Sequence, residues 1–407
     1  MRGWTSKEPA RASGRPGNGW QRSPAPSPPW RNSWPPRRRS GPNPGEPTAV
    51  ATIPARTRIR PAPASCGSSP PEHNAQKNAV TSSHSAAATN PEKTAQRQQA
   101  PKKNPKGPML TQDTITTAVR AALAEDAPWG DITSEATIPA DARLRTALTA
   151  REDGVFAGGQ VVRAAFELTD PAITVTELAA EGTRFTAGQQ LAVIEGPARG
   201  VLTAERIALN FAQRMCAIAT LTARYVDAIA GTNARIVDTR KTTPGLRAFE
   251  KHSVRVGGGH NHRYGLSDAV MVKDNHLAAL TASLGEGSIT EALRVVRSRV
   301  GHTTHIEVEV DRMDQIDPVL AAGVDSIMLD NFGPTELARA VALIDGRAAT
   351  EASGNVSLET VAELAATGVD VISVGKLTHS AGSLDLGLDA LEPAAQSTQD
   401  QAAQDQA

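Results

Sequence analysis

Residues 305–331 read HIEVEVDRMDQIDPVLAAGVDSIMLDN. Two short apolar runs stand out, HIEVEV at 305–310 and DSIML at 325–329. Each is too short for a helix and long enough for a strand. Similar runs recur from residue 234 onward as ARIVD (234–238), AVMVK (269–273) and DVISV (370–374), with a weaker one in AATEAS (348–353). Helical patterns at 289–299, 335–344 and 357–367 separate most of them. Strands alternating with helices make parallel β/α units. Six such units are expected to form a β/α barrel rather than an open sheet.

A β/α barrel places its site at the C-terminal ends of the strands, and these ends are polar throughout. ARIVD runs into Thr239, Arg240 and Lys241; AVMV ends at Lys273, with Asp274, Asn275 and His276 behind it. HIEVEV carries Glu307 and Glu309, and DSIML ends at Asp330 and Asn331. AATEA runs into Ser353, Gly354 and Asn355, and DVISV into Gly375 and Lys376. One such cluster alone is more often a cap or a solvated loop. Six in register argue for a shared pocket, to which VRVGGGHNHRYGLSDAVMVKDNH (254–276) adds His262 and Arg263.

Arginine grips carboxylate or phosphate with a two-pronged fork and lysine adds a point charge. Ser353, Gly354 and Gly375 offer backbone N–H groups to a phosphate. Glu309 and Asp330 are hard oxygen donors suited to Mg²⁺ or to ribose hydroxyls. The expected ligands are a small polyanion and a magnesium-bound sugar phosphate. Glu307 and Glu309 share one strand face, leaving one of them open to a structural role. His260 and His262 have the spacing of an HxH metal pair, but they follow glycines rather than a strand, and Arg263 would repel a metal.

Upstream, residues 111–125 repeat apolar side chains at helical spacing through Ile115, Val119 and Leu123. Residues 142–167 read as strand, turn and helix, and 173–196 alternate like paired strands around glycine turns. A long helical run covers about 200–230 and contains Cys216, read as packing. The expected organisation is an N-terminal α/β sandwich domain at 109–215, a barrel at 216–380 and a segment at 381–392 returning to the first domain.

The formal net charge of zero hides two unlike parts. Residues 1–108 hold 18 Lys and Arg against four Glu, a balance of +14, so the remainder carries −14. They also hold 20 of the 28 prolines. Such a stretch cannot bury enough apolar surface to offset its ordering entropy, so it is expected to be a disordered extension, as is 393–407. Attraction to nucleic acid or a membrane surface, a targeting role, and a natural start at Met109 all remain readings of it. Cys66 and Cys216 are the only cysteines, which fits a reducing cytoplasm better than a disulfide framework. No run approaches the ~18 apolar residues of a membrane helix.

Several stretches, taken in order, resemble the quinolinate phosphoribosyltransferase (nicotinate-nucleotide pyrophosphorylase, carboxylating) family: EDAPWGDITSEATIP (125–139), TAERIALNF (203–211), VDTRKTTPGLR (237–247), residues 254–276, IEVEVD (306–311), IMLDNF (327–332), EASGNV (351–356) and VGKLTHS (374–380). The resemblance spans nearly all of 109–392. It implies transfer of phosphoribose from 5-phosphoribosyl-1-pyrophosphate to quinolinate with decarboxylation, Mg²⁺ as cofactor, and a dimer or a multiple of dimers. By the same resemblance, Arg240, His262, Arg263 and Lys273 match the quinolinate site, with Arg206 reaching in from the adjacent subunit. Lys241, Glu309 and Asp330 match positions serving the pyrophosphate substrate and its metal, and Ser353, Gly354, Gly375 and His379 match the phosphate loops. Lys376 stands where a small residue is more usual in the pattern. A transferase using nicotinate and a non-catalytic sugar-phosphate-binding protein are the alternatives. Four retained cations favour a diacid over the first, and Glu309 with Asp330 counts against the second.

Overall fold

The computed structural model describes residues 110–283 and 288–392; the expectations for 1–108 and 393–407 lie outside that range. The chain opens with α1 (Gln112–Asp126), capped by the Thr111 hydroxyl, and α2 (Ile132–Thr137), capped by Asp131. Such caps satisfy N–H groups that have no partner inside the helix. Then come β1 (Arg143–Ala150), β2 (Gly154–Val155), α3 (Gly159–Thr169), β3 (Thr174–Thr176), β4 (Arg184–Phe185) and β5 (Gln190–Pro197). The long helix α4 (Ala198–Ala228) follows. The second half consists of β6 (Arg235–Val237), α5 (Arg247–Val256), β7 (Val270–Val272), α6 (Asp274–Ser283), α7 (Ile289–Arg299), β8 (Ile306–Val310), α8 (Ile316–Leu320), β9 (Ser326–Asp330), α9 (Pro334–Ile344), β10 (Ala349–Ser353), α10 (Val361–Ala366), β11 (Val371–Ser373) and α11 (Lys376–His379). It closes with β12 (Leu386–Ala390).

Two sheets carry this architecture. The first, in the order β12-β1-β5-β3, is antiparallel. Its inner face packs on α1, α3 and α4 through Leu148, Ile194, Val162 and Phe166. The last strand of the described residues, β12, pairs with β1, so the chain returns to its first sheet after the barrel. The second sheet is parallel with six strands in the order β6-β11-β10-β9-β8-β7. The first strand of this half lies beside the last, the circular order of a barrel. The ladder breaks between β6 and β7, where a single bridge from Val237 to His260 in the glycine-rich loop takes over. The sequence pattern carries no sign of this break, because pairing depends on where the loop lies.

The helix α4 belongs to both cores. Val201, Ile207 and Met215 pack on the first sheet, whereas Ile218 and Tyr225 pack on the second. Among the described residues, no helix is long and apolar enough to cross a membrane.

Candidate active site

Strand residues alternate between faces, and in this barrel the alternation is inverted relative to an ordinary core. Ile306, Val308, Ile327, Leu329 and Ile372 join the apolar cluster under the helices. The side chains in the opposite phase, Met271, Glu309, Met328, Asp330, Glu351, Ser353 and Ser373, line a cavity of about 480 Å³. Barrel interiors are usually filled with branched apolar residues; here the interior is a polar site. Thr239, Arg240, Lys241, His262, Arg263 and Lys273 complete its wall.

Each cation has an identifiable support. Asp238, fully buried at the end of β6, accepts from the buried Lys251 Nζ of α5, from the His262 N–H at 2.9 Å and from Asn261 Nδ2 at 2.6 Å. One carboxylate therefore registers the β6 end, which carries Arg240, against the loop that carries His262. Thr378 Oγ1 donates to Lys241 O at 2.7 Å, and Glu250 accepts from Thr243 N and Oγ1, fixing the loop after β6 at two points. Arg263 donates to Ala269 O at 3.0 Å and so ties the glycine-rich loop to the start of β7. Burial, followed by the charge of Arg240, lowers the pKa of Arg263. The pocket thus holds mutually repelling cations, a disposition that an anion relieves. Lys273 Nζ pairs with Glu309.

Deeper in the barrel, His262 Nε2 lies 3.1 Å from Glu307 and 3.4 Å from Glu351, both buried. Burial disfavours a charged imidazole, but hydrogen bonds and charge from the two carboxylates outweigh it and raise the His262 pKa to about 10. The Arg263 N–H stands 2.7 Å from Nδ1, an arrangement that favours the neutral ring. Two carboxylates at close range in a buried site exceed one backbone hydrogen bond worth about 1 kcal/mol, so the ring carries the proton and that bond is the one to yield. Glu307, read from sequence as open to a structural role, is the partner that holds His262.

The strand-end loops of β9 and β10 interlock. Asn331, Gly354 and Asn355 all have positive φ, at 59°, 97° and 48°. A Cβ on Gly354 would collide with the Asn331 side chain and stand 2.9 Å from its backbone nitrogen. Gly354→Ala is therefore expected to cost about 1–3 kcal/mol, read as a lower thermal midpoint. Unchanged melting would show that these loops do not meet. Gly375 lies against Lys241 and His379, where a Cβ would stand 3.1 Å and 3.3 Å from them.

Of the residues anticipated from sequence, Arg240, Lys241, His262, Arg263, Lys273, Glu309, Asp330 and Ser353 line the one cavity. Gly375 and His379 adjoin it through Lys241. Arg206 does not line it; this exposed side chain borders a separate depression with Asp131 and Thr203. The HxH pair is divided, with His262 facing the two glutamates and His260 Nδ1 buried without a hydrogen-bond partner. Cys216 is a buried free thiol, pushed up to about 12 by burial. Asp238, Lys251, Asn261, Glu351, Met271 and Met328 escaped the sequence reading. Glu351, Met271 and Met328 had a usable signal there, lying in phase with Ser353, Lys273 and Asp330.

Comparison with known proteins gives this geometry its family. The "Quinolinate phosphoribosyl transferase, N-terminal domain" family matches residues 131–216, and its "C-terminal domain" counterpart matches 218–389. The Mycobacterium leprae nicotinate-nucleotide pyrophosphorylase [carboxylating] is 45% identical over 283 residues, covering 68% of this chain and 97% of that protein. A Bacillus subtilis protein named as the probable equivalent is 41% identical over 265 residues, covering 65% of this chain and 89% of its own. The crystal structure of NadC from Streptococcus pyogenes superposes with a TM-score of 0.66 at 41% identity, covering 70% of this chain and all of that one. The chain belongs to the quinolinate phosphoribosyltransferase family.

Proposed function

We propose that this protein transfers the phosphoribosyl group of 5-phosphoribosyl-1-pyrophosphate to the ring nitrogen of quinolinate, with loss of CO2, giving nicotinate mononucleotide and pyrophosphate for NAD biosynthesis. One observation carries this reading. Arg240, Lys241, Arg263 and Lys273 converge with His262 on a single cavity, and although Glu309 pairs with Lys273, Arg240 and Arg263 face each other as repelling cations, a disposition suited to a diacid.

In this reading Arg240, His262, Arg263 and Lys273 grip the two carboxylates. Met271 and Met328, in the same wall, give the flat ring an apolar surface. Holding the ring nitrogen beside the sugar carbon supplies the effective concentration that bond formation needs. The C–O bond to pyrophosphate breaks as the C–N bond forms, and Lys241 with the Ser353–Gly354 and Gly375–His379 loops takes the phosphates. Glu309 and Asp330 favour positive charge developing at the sugar carbon. The positive charge of the quaternary nitrogen then stabilises the electron pair left on the adjacent ring carbon as the 2-carboxylate departs as CO2, and a proton takes that pair. No nucleophilic side chain is required.

Glu309 and Asp330 fit a magnesium ion as an all-oxygen pair on the cavity wall. Bound Mg²⁺ would offset charge on the departing pyrophosphate. We further propose a dimer in which Arg206 completes the neighbouring site. Trp129 and Ile132, 93% and 79% exposed on the loop and helix beside Arg206, support a covered surface there. A cytoplasmic location goes with the free thiol of Cys216.

The test supplies the purified protein with quinolinate, phosphoribosyl pyrophosphate and Mg²⁺, and follows CO2 and nicotinate mononucleotide, with nicotinate in a parallel reaction. Product from quinolinate alone is the expected result. Turnover of nicotinate alone would move the assignment to a non-carboxylating transferase, and no turnover of either would leave a binding protein.

A further inference from the structure

Two carboxylates and one imidazole meet at the floor of the barrel, a layer below the Glu309–Asp330 pair. Glu307 comes from β8, Glu351 from β10 and His262 from the glycine-rich loop. One ligand atom from each lies within 4.8 Å of the others. The floor separates the cavity above from a second one, of about 450 Å³, at the opposite end of the barrel, and His262, Arg263 and Glu351 line both.

A packed core does not need this group. Burying charge is costly unless it is paired and hydrogen-bonded, and the pairing is incomplete. Glu351 is 5% exposed, yet its Oε1 is buried without a hydrogen-bond partner. The donor set also differs in kind from the rim. Glu309 and Asp330 offer only hard oxygens, whereas the floor offers one imidazole nitrogen and two carboxylates, a combination that suits zinc-class ions. At zinc–ligand bonds of ~2.0–2.1 Å, the edge of a coordination tetrahedron is about 3.3 Å. The separations from His262 Nε2 to Glu307 and Glu351 are 3.1 Å and 3.4 Å. Arg263, which the sequence sets against a metal here, turns its guanidinium to Ala269 O and Met271 Sδ, and two carboxylates offset its charge.

We propose that His262, Glu307 and Glu351 form a second cation site, which takes one Zn²⁺-class ion in place of a proton. Its fourth position opens into the catalytic cavity. Quinolinate carries a ring nitrogen next to a carboxylate, a bidentate chelating pair, so an ion here would engage the lone pair that must attack the sugar. The site is therefore inhibitory, and that consequence rests on the proposed function; the binding itself does not.

Binding is measured first, without substrates, by calorimetric titration of the full-length protein with ZnCl2 and by the visible absorption of bound Co²⁺. Glu351→Gln and His262→Gln are compared with the wild type after their circular dichroism shows native folding. The expected result is one ion per chain in the wild type, at least tenfold weaker in each folded variant, with the intense band of low-coordinate Co²⁺ lost. Equal affinity in the wild type and a folded variant would put the ion elsewhere and overturn the proposal, as would no binding at all. Should both variants misfold, the wild type alone decides: an octahedral Co²⁺ spectrum, or no bound Co²⁺, overturns the site. Zinc inhibition is read separately with saturating Mg²⁺, so an inactive protein that still binds zinc would refute the functional reading and leave this site standing.

Discussion

Lys251→Met is expected to destabilise the protein by about 3–5 kcal/mol, the usual cost of removing one partner from a buried ion pair. Lys251 is 2% exposed and Asp238 fully buried. Without the ammonium, Asp238 retains only the Asn261 amide and the His262 N–H. Burial already pushes the Asp238 pKa up against the pull of Lys251, so losing Lys251 must raise it further. A carboxyl whose folded pKa lies above its unfolded value loses stability as the pH rises between the two values. The deficit of Lys251→Met should therefore be largest at neutral pH and shrink on acidification, as folded Asp238 takes up a proton. Chemical denaturation of wild type and variant at a series of pH values measures this. A pH-independent gap would mean that lost packing, rather than an uncompensated charge, is responsible. Adding Asp238→Asn should recover much of the loss, because it removes the orphaned charge.

That pair also shows what the sequence could not reveal. The six strands were legible because short apolar runs with polar ends need no knowledge of their neighbours. The cations of the cavity were legible for a related reason, since strand ends in a β/α barrel share one rim. Lys251 carried no such signal. It sits in RAFEKHSVRV, where Glu250 beside it is buried as well and the charge pattern marks neither. The glycine-rich loop folds over Lys251, bringing His262 O and Asn261 to its position. Glu351 shared a strand phase with Ser353, but its meaning depends on a histidine 89 residues earlier in the chain. The break in the barrel ladder and the positive φ of Asn331 and Asn355 also arise from non-local contacts. Local pattern exposed the rim of the site, and tertiary contact supplied its floor and its supports.

Arg263→Ala is expected to lower kcat/KM for quinolinate by roughly 100- to 10,000-fold while changing stability by only about 1 kcal/mol. The first figure follows from losing a two-pronged, charge-assisted grip on a carboxylate, at about 1.5–3 kcal/mol per bond and about 1.4 kcal/mol per factor of ten. The second follows from losing the hydrogen bond to Ala269 O and the weaker one to Met271 Sδ. Because Arg263 and Arg240 repel in the absence of an anion, removing one relaxes the free protein, so the penalty should fall on the liganded states. The KM for phosphoribosyl pyrophosphate should move little, since its phosphates meet Lys241 and the glycine loops. Arg263→Lys keeps the charge but not the fork and should recover part of the loss. Steady-state kinetics in both substrates, beside thermal melts of the same preparations, separates the possibilities. Equal losses toward both substrates with a collapsed midpoint would make Arg263 a strut between the glycine-rich loop and β7. Full activity in a folded variant would remove it from the diacid site and leave Arg240, His262 and Lys273 to account for the preference.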